Sequence, residues 1–379
     1  MSCRKTSDIT ESIFLNHEIL TKGAWMGLQK ESVMGLMKMK YQKTLALCVG
    51  VSVLVSAGFR AMAEPVKIIL DVDLCEDVDD AGAVATLHAL ANRGEAEILA
   101  TLVSSRNEWV APCLDAINTY YGLPDVPIGY QRGLTYGYRN EDDPKRSLDS
   151  KYAEHVAKAF PHDLQRSSDA PDAALLCRKI LAGQPDGSVT FVTVGFLTNL
   201  RDLLDTQPDE YSELNGEDLV RKKVKQWVCM GGLFPNGEFP NGGGEYNLMW
   251  DTTASVRAVN DWPTQVVFSG FWIGVKVKTG SGLKATPESN PVRLCYHYYN
   301  DLTDRESWDQ TAVLYAVRGA QDNWKLSEPG ICIMHARVRH GYNQWIPYEK
   351  GQHRYLIEDK APEQVAAEIE ALMVQPPRK

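Results

Sequence analysis

The chain has no excess of basic charge, no Cys-x-x-Cys pair, no internal repeat and no low-complexity tract. Its 379 residues carry 40 Lys+Arg against 49 Asp+Glu, a formal charge of −9. That balance argues against a nucleic-acid or anionic-membrane partner. The eight cysteines stand singly and far apart, so neither a zinc ribbon nor a dithiol redox motif is present. A Gly-rich stretch exists between Gly231 and Gly244, but no Lys-Ser/Thr pair and no helix start follow it closely. A phosphate-cradling P-loop is therefore excluded, and a mobile substrate loop is expected instead. No convincing linker interrupts the chain, so one large domain is the simplest organisation. With 44% hydrophobic residues it can fill a sizeable core.

One apolar run, Thr44 to Phe59, is about 16 residues long, short of the roughly 20 needed to span a bilayer. It follows the basic segment Met37-Lys-Met-Lys40-Tyr-Gln-Lys43 and precedes Ala61-Met-Ala63, an A-x-A cleavage pattern. Residues 1–63 read as a leader and signal peptide, with residues 64–379 as the mature domain; an uncleaved N-terminal anchor is the alternative. An exported chain, periplasmic or secreted, is expected, with no stable membrane partner after cleavage. The leader holds eight basic and four acidic residues, leaving 32 basic against 45 acidic, near −13. Of the remaining cysteines, Cys75, Cys113, Cys177, Cys229, Cys295 and Cys332 lie mostly in apolar segments. They are expected to be buried free thiols.

What is abundant is acid in one place. Asp71-Val-Asp73-Leu-Cys-Glu76-Asp77-Val-Asp79-Asp80 holds six acids in ten residues. It directly follows the apolar run Val66–Leu70, which reads as a buried strand. Behind it, Ala81 to Ala91 reads as a helix with Val84, Leu87 and Leu90 facing inward. The acids thus sit on a strand-to-helix turn at a strand's carboxyl end, where open α/β sheets keep their sites. So many carboxylates repel unless a cation or protons neutralise them. With no His and one Cys among them, a hard, oxygen-preferring ion such as Ca²⁺ or Mg²⁺ fits better than zinc. The plainer alternative is a helix cap by Asp77 or Asp79 with the other acids solvated. An EF-hand starting at Asp77 fails, because Ala81 and His88 fall at ligand positions. A haloacid-dehalogenase-type phosphatase with Asp71 as nucleophile lacks its later Lys and Asp-Asp pair.

Further along, strands are expected at Ala96–Ser104, Asp125–Gly129, Ser188–Val194, Val224–Met230 and Thr264–Phe268. Helices are expected at Ala111–Tyr121, Tyr152–Phe160, Asp172–Ala182, Thr311–Val317 and Pro362–Met373. The alternation implies an open, mostly parallel, doubly wound α/β sheet. Gly330–His340 and Arg354–Glu358 add a small antiparallel C-terminal part.

Several motifs then appear in order. Asp71-Val-Asp73 ends the first strand, Asp79-Asp80 opens a helix, and Gly195-Phe-Leu-Thr198-Asn199 forms a later turn. Met230-Gly-Gly leads to Glu245-Tyr-Asn247, and Asp309 opens a late helix. Together this set resembles the inosine/uridine-preferring nucleoside hydrolases, from Val66 to the C-terminal helix. It is similar to the branch with two extra residues between Asp-x-Asp and Asp-Asp. The resemblance implies calcium-dependent hydrolysis of the N-glycosidic bond of a small-molecule ribonucleoside, giving ribose and free base. It also implies a homo-oligomer. By motif, Asp73 is the metal ligand and general base, Asp80 a bidentate ligand, the Val194 carbonyl a backbone ligand and Asp309 the late acidic ligand. Asp79, Asn107, Glu245 and Asn247 are implied sugar contacts; Asp251 and Asn236 or Asn241 are left without a defined role.

Three departures stand out. Trp308 occupies the position before Asp309 where many members carry His, and an indole supplies no proton; it can stack on a base or simply pack. Cys75 stands where the turn normally has Gly. Asp77 has no counterpart in the shorter branch. Asp77 can replace Asp79 or join the metal shell, whereas Trp308 and Cys75 motivate the alternative of a catalytically impaired, exported nucleoside- or sugar-binding protein with the same calcium pocket.

Overall fold

The structure is a computed structural model that describes residues 64–74, 77–133, 151–335 and 341–378. The expected leader and signal peptide, Cys75 and residues 134–150, part of a charged, Gly- and Arg-containing stretch (131–150) expected from the sequence to be a surface loop or lid, lie outside the described residues. From Glu64 onward the chain forms one compact unit. No helix of the described residues is long and apolar enough to cross a membrane.

Strand β1 (Val66–Val72) is the seed of the sheet, and its side chains alternate between two cores. Ile68, Leu70 and Val72 join one core, and Ile69 the other. A strand buried on both faces needs helices on both sides. β1 pairs in parallel with β2 (Ala96–Val103) on one side and β4 (Val189–Thr193) on the other. β3 (Ile128–Tyr130) extends the sheet beyond β2; β5 (Val224–Met230) and β6 (Gln265–Ser269) extend it beyond β4, all parallel. The order β3-β2-β1-β4-β5-β6 reverses direction between β1 and β4. That reversal is the switch point at which doubly wound sheets open a crevice.

Helices Asp79–Asn92, Val110–Tyr120, Trp308–Arg318 and Pro362–Met373 feed one core, and helices Ala173–Ala182, Thr198–Asp205, Gly216–Lys223 and Thr252–Asp261 the other. Gly82 lets the first and third of these helices cross closely, since a Cβ there would collide with Gln310 and the Tyr296 hydroxyl. On the far side of the first helix, Arg318 grips Glu95 at 2.7 Å and Glu368 at 2.6 Å. Arg93 also donates to Gln375 at 3.0 Å, so the C-terminal segment is fastened to the back of that helix.

The C-terminal part differs in detail from expectation. β7 (Lys278–Thr279) and β8 (Arg305–Glu306) form a separate antiparallel pair. β9 (Trp324–Leu326), β10 (Gly330–Met334) and β11 (Asn343–Pro347) are antiparallel additions. β12 (His353–Glu358) is antiparallel to β9 and β10 but parallel to β6. It therefore continues the main sheet. The five described cysteines outside the acidic turn are buried and free.

Candidate active site

A cavity of about 470 Å³ opens at the carboxyl ends of β1 and β4. Its floor takes Asp73 from the end of β1, Asp79 and Asp80 from the first turn of helix Asp79–Asn92, and Asp309 from the first turn of helix Trp308–Arg318. All four are buried. Carboxylate oxygens of Asp79, Asp80 and Asp309 lie within 4.8 Å of one another. Backbone bonds fix the cluster: the Asp73 N–H donates to Asp80 Oδ1 at 2.9 Å, and the Asp309 N–H donates to Asp79 Oδ2 at 3.1 Å. Two helix N-termini thus point at one spot, where their dipoles favour negative charge.

That is not enough to keep the acids at their ordinary affinity for protons. Burial, followed by the charges of Asp77 and Asp80, raises the pKa of Asp79 well above the usual range. Burial, with the charges of Asp79, Asp80, Asp73 and Asp77, does the same to Asp309. Burial pushes Asp80 up to about 6, against hydrogen bonds from Asp73 and Leu74 that favour its charged form. Like charges crowded in a dry site call for a counter-cation. The donors are oxygens only, and the described lining holds neither His nor Cys. The residues present therefore fit a hard divalent ion and not a soft one.

The backbone around the floor is built for close approach. Leu74 adopts a left-handed φ of 44° while fully buried, a conformation that costs a non-glycine residue energy. Gly195 touches the same turn: a Cβ there would lie 2.8 Å from Asp73 N and 2.9 Å from Asp73 Cβ. Just before it, the Val194 carbonyl lines the cavity and accepts from Asn247 Nδ2 at 2.8 Å.

Glu245 and Asn247 are buried and line the cavity, but much of their polar surface serves the protein itself. Glu245 caps the short helix Tyr246–Trp250: Oε1 accepts from the Asn247 N–H at 3.0 Å, and Oε2 from Gly232 at 3.1 Å and Leu248 at 3.2 Å. Burial raises its pKa against those bonds. Asn247 Nδ2 also reaches the Met230 carbonyl at 3.3 Å. Trp308 lines the cavity too, with its indole N–H donated to the Phe271 carbonyl at 3.0 Å and Arg305 5.1 Å from its ring centre.

Asn107 is the expected site residue outside the cavity lining. Its Oδ1 accepts from the Trp109 N–H at 2.8 Å, an Asx turn that leads into helix Val110–Tyr120. Asp251 is likewise remote. It caps helix Thr252–Asp261 and takes bonds from Thr198 at 2.8 Å and Arg201 at 3.1 Å. Asn236 and Asn241 are exposed. The Gly-rich loop contributes Phe239, which meets Phe271 edge-on at 4.9 Å. Sequence reading missed Phe239, Phe271, Lys151 and Arg305 on the cavity walls; none stands in a motif that would have marked it.

An α/β sheet with an oxygen-lined floor at its switch point offers a hard cation a place beside a cavity of small-molecule size. The model of the inosine-uridine preferring nucleoside hydrolase family matches residues 68–342, and the chain belongs to that family of N-glycosyl hydrolases. Solved structures agree on the fold. A plant nucleoside hydrolase is 18% identical, with a TM-score of 0.59 over 82% of this chain and 100% of the other. The inosine-uridine preferring nucleoside hydrolase of Bacillus anthracis is 16% identical, with a TM-score of 0.59 over 81% and 99%. A purine-preferring ribonucleoside hydrolase from Gardnerella vaginalis is 14% identical, with a TM-score of 0.59 over 81% and 98%. No curated protein matches the sequence.

Proposed function

We propose that the protein is an exported, calcium-dependent ribonucleoside hydrolase that acts as a homo-oligomer. The convergence of Asp79, Asp80 and Asp309 from two helix N-termini carries the metal-dependent part of this reading; export is supported by the leader pattern, and the oligomer by the family resemblance. Asp73, Asp80, Asp309 and the Val194 carbonyl would hold the ion. A bound divalent cation supplies neutralising charge, a lowered pKa for water and a chelating centre for a vicinal diol. Asp73, at the end of β1, accepts the proton of the attacking water as general base. Asp79 is placed beside Asp80 to grip a ribose hydroxyl, and the floor carboxylates stabilise the positive charge that develops on the sugar. Glu245 and Asn247 form the rim on which the sugar rests. Asn247 also keeps the Val194 carbonyl aimed, through its 2.8 Å bond. Trp308 does not act as an acid, because its N–H is spent on Phe271; it packs the wall against which a base lies.

The test is ribose release from inosine and uridine in saturating calcium. Asp73→Ala abolishes it while circular dichroism shows an unchanged fold. Full turnover in that variant places the base elsewhere. Nucleoside binding by the unmodified protein without release of free base sinks the hydrolase reading in favour of a binding protein.

A further inference from the structure

Asp77 belongs to the two-residue extension of the acidic turn, stands two positions before Asp79, and lines the same cavity. Its charge bears on Asp79, Asp80 and Asp309. Yet its carboxylate is engaged elsewhere. Arg305 Nε reaches Oδ1 at 2.9 Å and Arg305 Nη2 reaches Oδ2 at 2.5 Å, a two-pronged grip across 228 positions of sequence. Arg305 is itself held. It sits in β8, gives Nη1 to Glu306 at 2.7 Å, and lies 5.1 Å from the Trp308 ring centre and 5.7 Å from that of Tyr299. The Tyr152 hydroxyl fastens the Asp77 carbonyl at 2.6 Å.

We propose that Arg305 is a positioning residue that holds the Asp77 carboxylate out of the cation's shell, so that water and the sugar diol can occupy it. The proposal rests on the reading of the floor as a cation site. A hard ion accepts six to eight oxygens, and an extra mobile carboxylate beside the floor would take a place that substrate needs. The guanidinium fork parks that carboxylate against β8 instead. It also links the segment that carries Asp79 and Asp80 to the one that carries Asp309.

Arg305→Gln releases Asp77. Calorimetric titration with Ca²⁺ should then show about tenfold tighter binding, while kcat for inosine falls by about tenfold. The double variant Asp77→Asn with Arg305→Gln should bring both quantities back to within about threefold of wild type. A merely structural Arg305 would weaken calcium binding with no rescue in the double variant, and one that acts only through its charge, which bears on Asp79, would leave Arg305→Lys like wild type. Either result overturns the proposal. Should Arg305→Gln fail to fold, Arg305→Lys, which keeps the charge but loses the fork, must move calcium affinity and kcat in the same opposed directions by a smaller factor; no movement overturns it. If wild type binds calcium but cleaves no nucleoside, the hydrolase reading falls and the calorimetric comparison still decides the role of Arg305.

Discussion

Two charged clusters inside this molecule are built in opposite ways. Arg178 is fully buried, and every prong of its guanidinium is answered. Asp209 takes two bonds at 2.8 and 3.0 Å, Thr206 one at 2.9 Å, and the carbonyls of Ser212 and Leu214 one each at 3.1 and 2.9 Å. Arg178 in turn holds Asp209 down to about 2. The cavity floor is the reverse. Asp79, Asp80 and Asp309 face one another, and burial, followed by the charges of neighbouring aspartates, raises their pKa values. A buried charge that the fold satisfies completely holds structure together. One that the fold crowds with its own kind is waiting for something from solution.

The contrast breaks most decisively at Asp309. Asp309→Asn should cut ribose release by about 10²–10³-fold and abolish the rise in melting temperature produced by calcium. In chelator, the same variant should melt several degrees higher than wild type, because one of the repelling carboxylates is gone. Thermal unfolding with and without calcium checks both halves, and a lower melting point in chelator would erase the distinction between the clusters. At the other cluster, Arg178→Ala should cost about 3–5 kcal/mol in denaturant unfolding and leave calcium affinity unchanged. A change in affinity would mean that the two clusters are coupled.

The smallest effect is in acid, and its sign sharpens the comparison. Burial lowers His88, stacked on Tyr121 and bonded to Asn118, from 6.5 to about 4. The unfolded chain therefore binds that proton first, and stability is lost as pH falls from 6.5 towards 4. Asp80 is raised from 3.8 to about 6, so the ion-free folded chain binds its proton first and gains stability as pH falls from 6 towards 3.8. Under the proposed function, bound calcium would keep Asp80 ionised and remove that gain. The loss of melting temperature between pH 6.5 and 4 should accordingly be steeper in saturating calcium than in chelator. Parallel curves would remove Asp80 from the ion's ligands.

The sheet was legible because its strands are written as short, mostly apolar runs. Val224–Met230 emerges as expected, and Val66–Leu70 is two residues short of β1. The floor was legible because acids on a strand-to-helix turn have few other uses. The walls were not. Arg305 sits in a two-residue strand with no pattern of its own, and its meaning exists only through contact with Asp77. Glu245 and Asn247 were read as free to hold a sugar, whereas in space they also cap a helix and hold a carbonyl. Asn107 stands in a turn whose local bonding a sequence does not display. The helix Gly216–Lys223 escaped notice because its buried residues are few, only Gly216, Leu219 and Val220.

The fastening of the C-terminal helix to the back of helix Asp79–Asn92 carries a consequence for biosynthesis. The floor carboxylates Asp73, Asp79 and Asp80 leave the ribosome early, Asp309 long after them, and Glu368 and Gln375, which fasten the C-terminal segment to Arg318 and Arg93, almost last. A nascent chain therefore cannot own a finished ion site until translation is nearly over. Under the proposed function, metal loading follows translation, and a protein cut short before residue 362 would lack Glu368 and Gln375, the partners of Arg318 and Arg93.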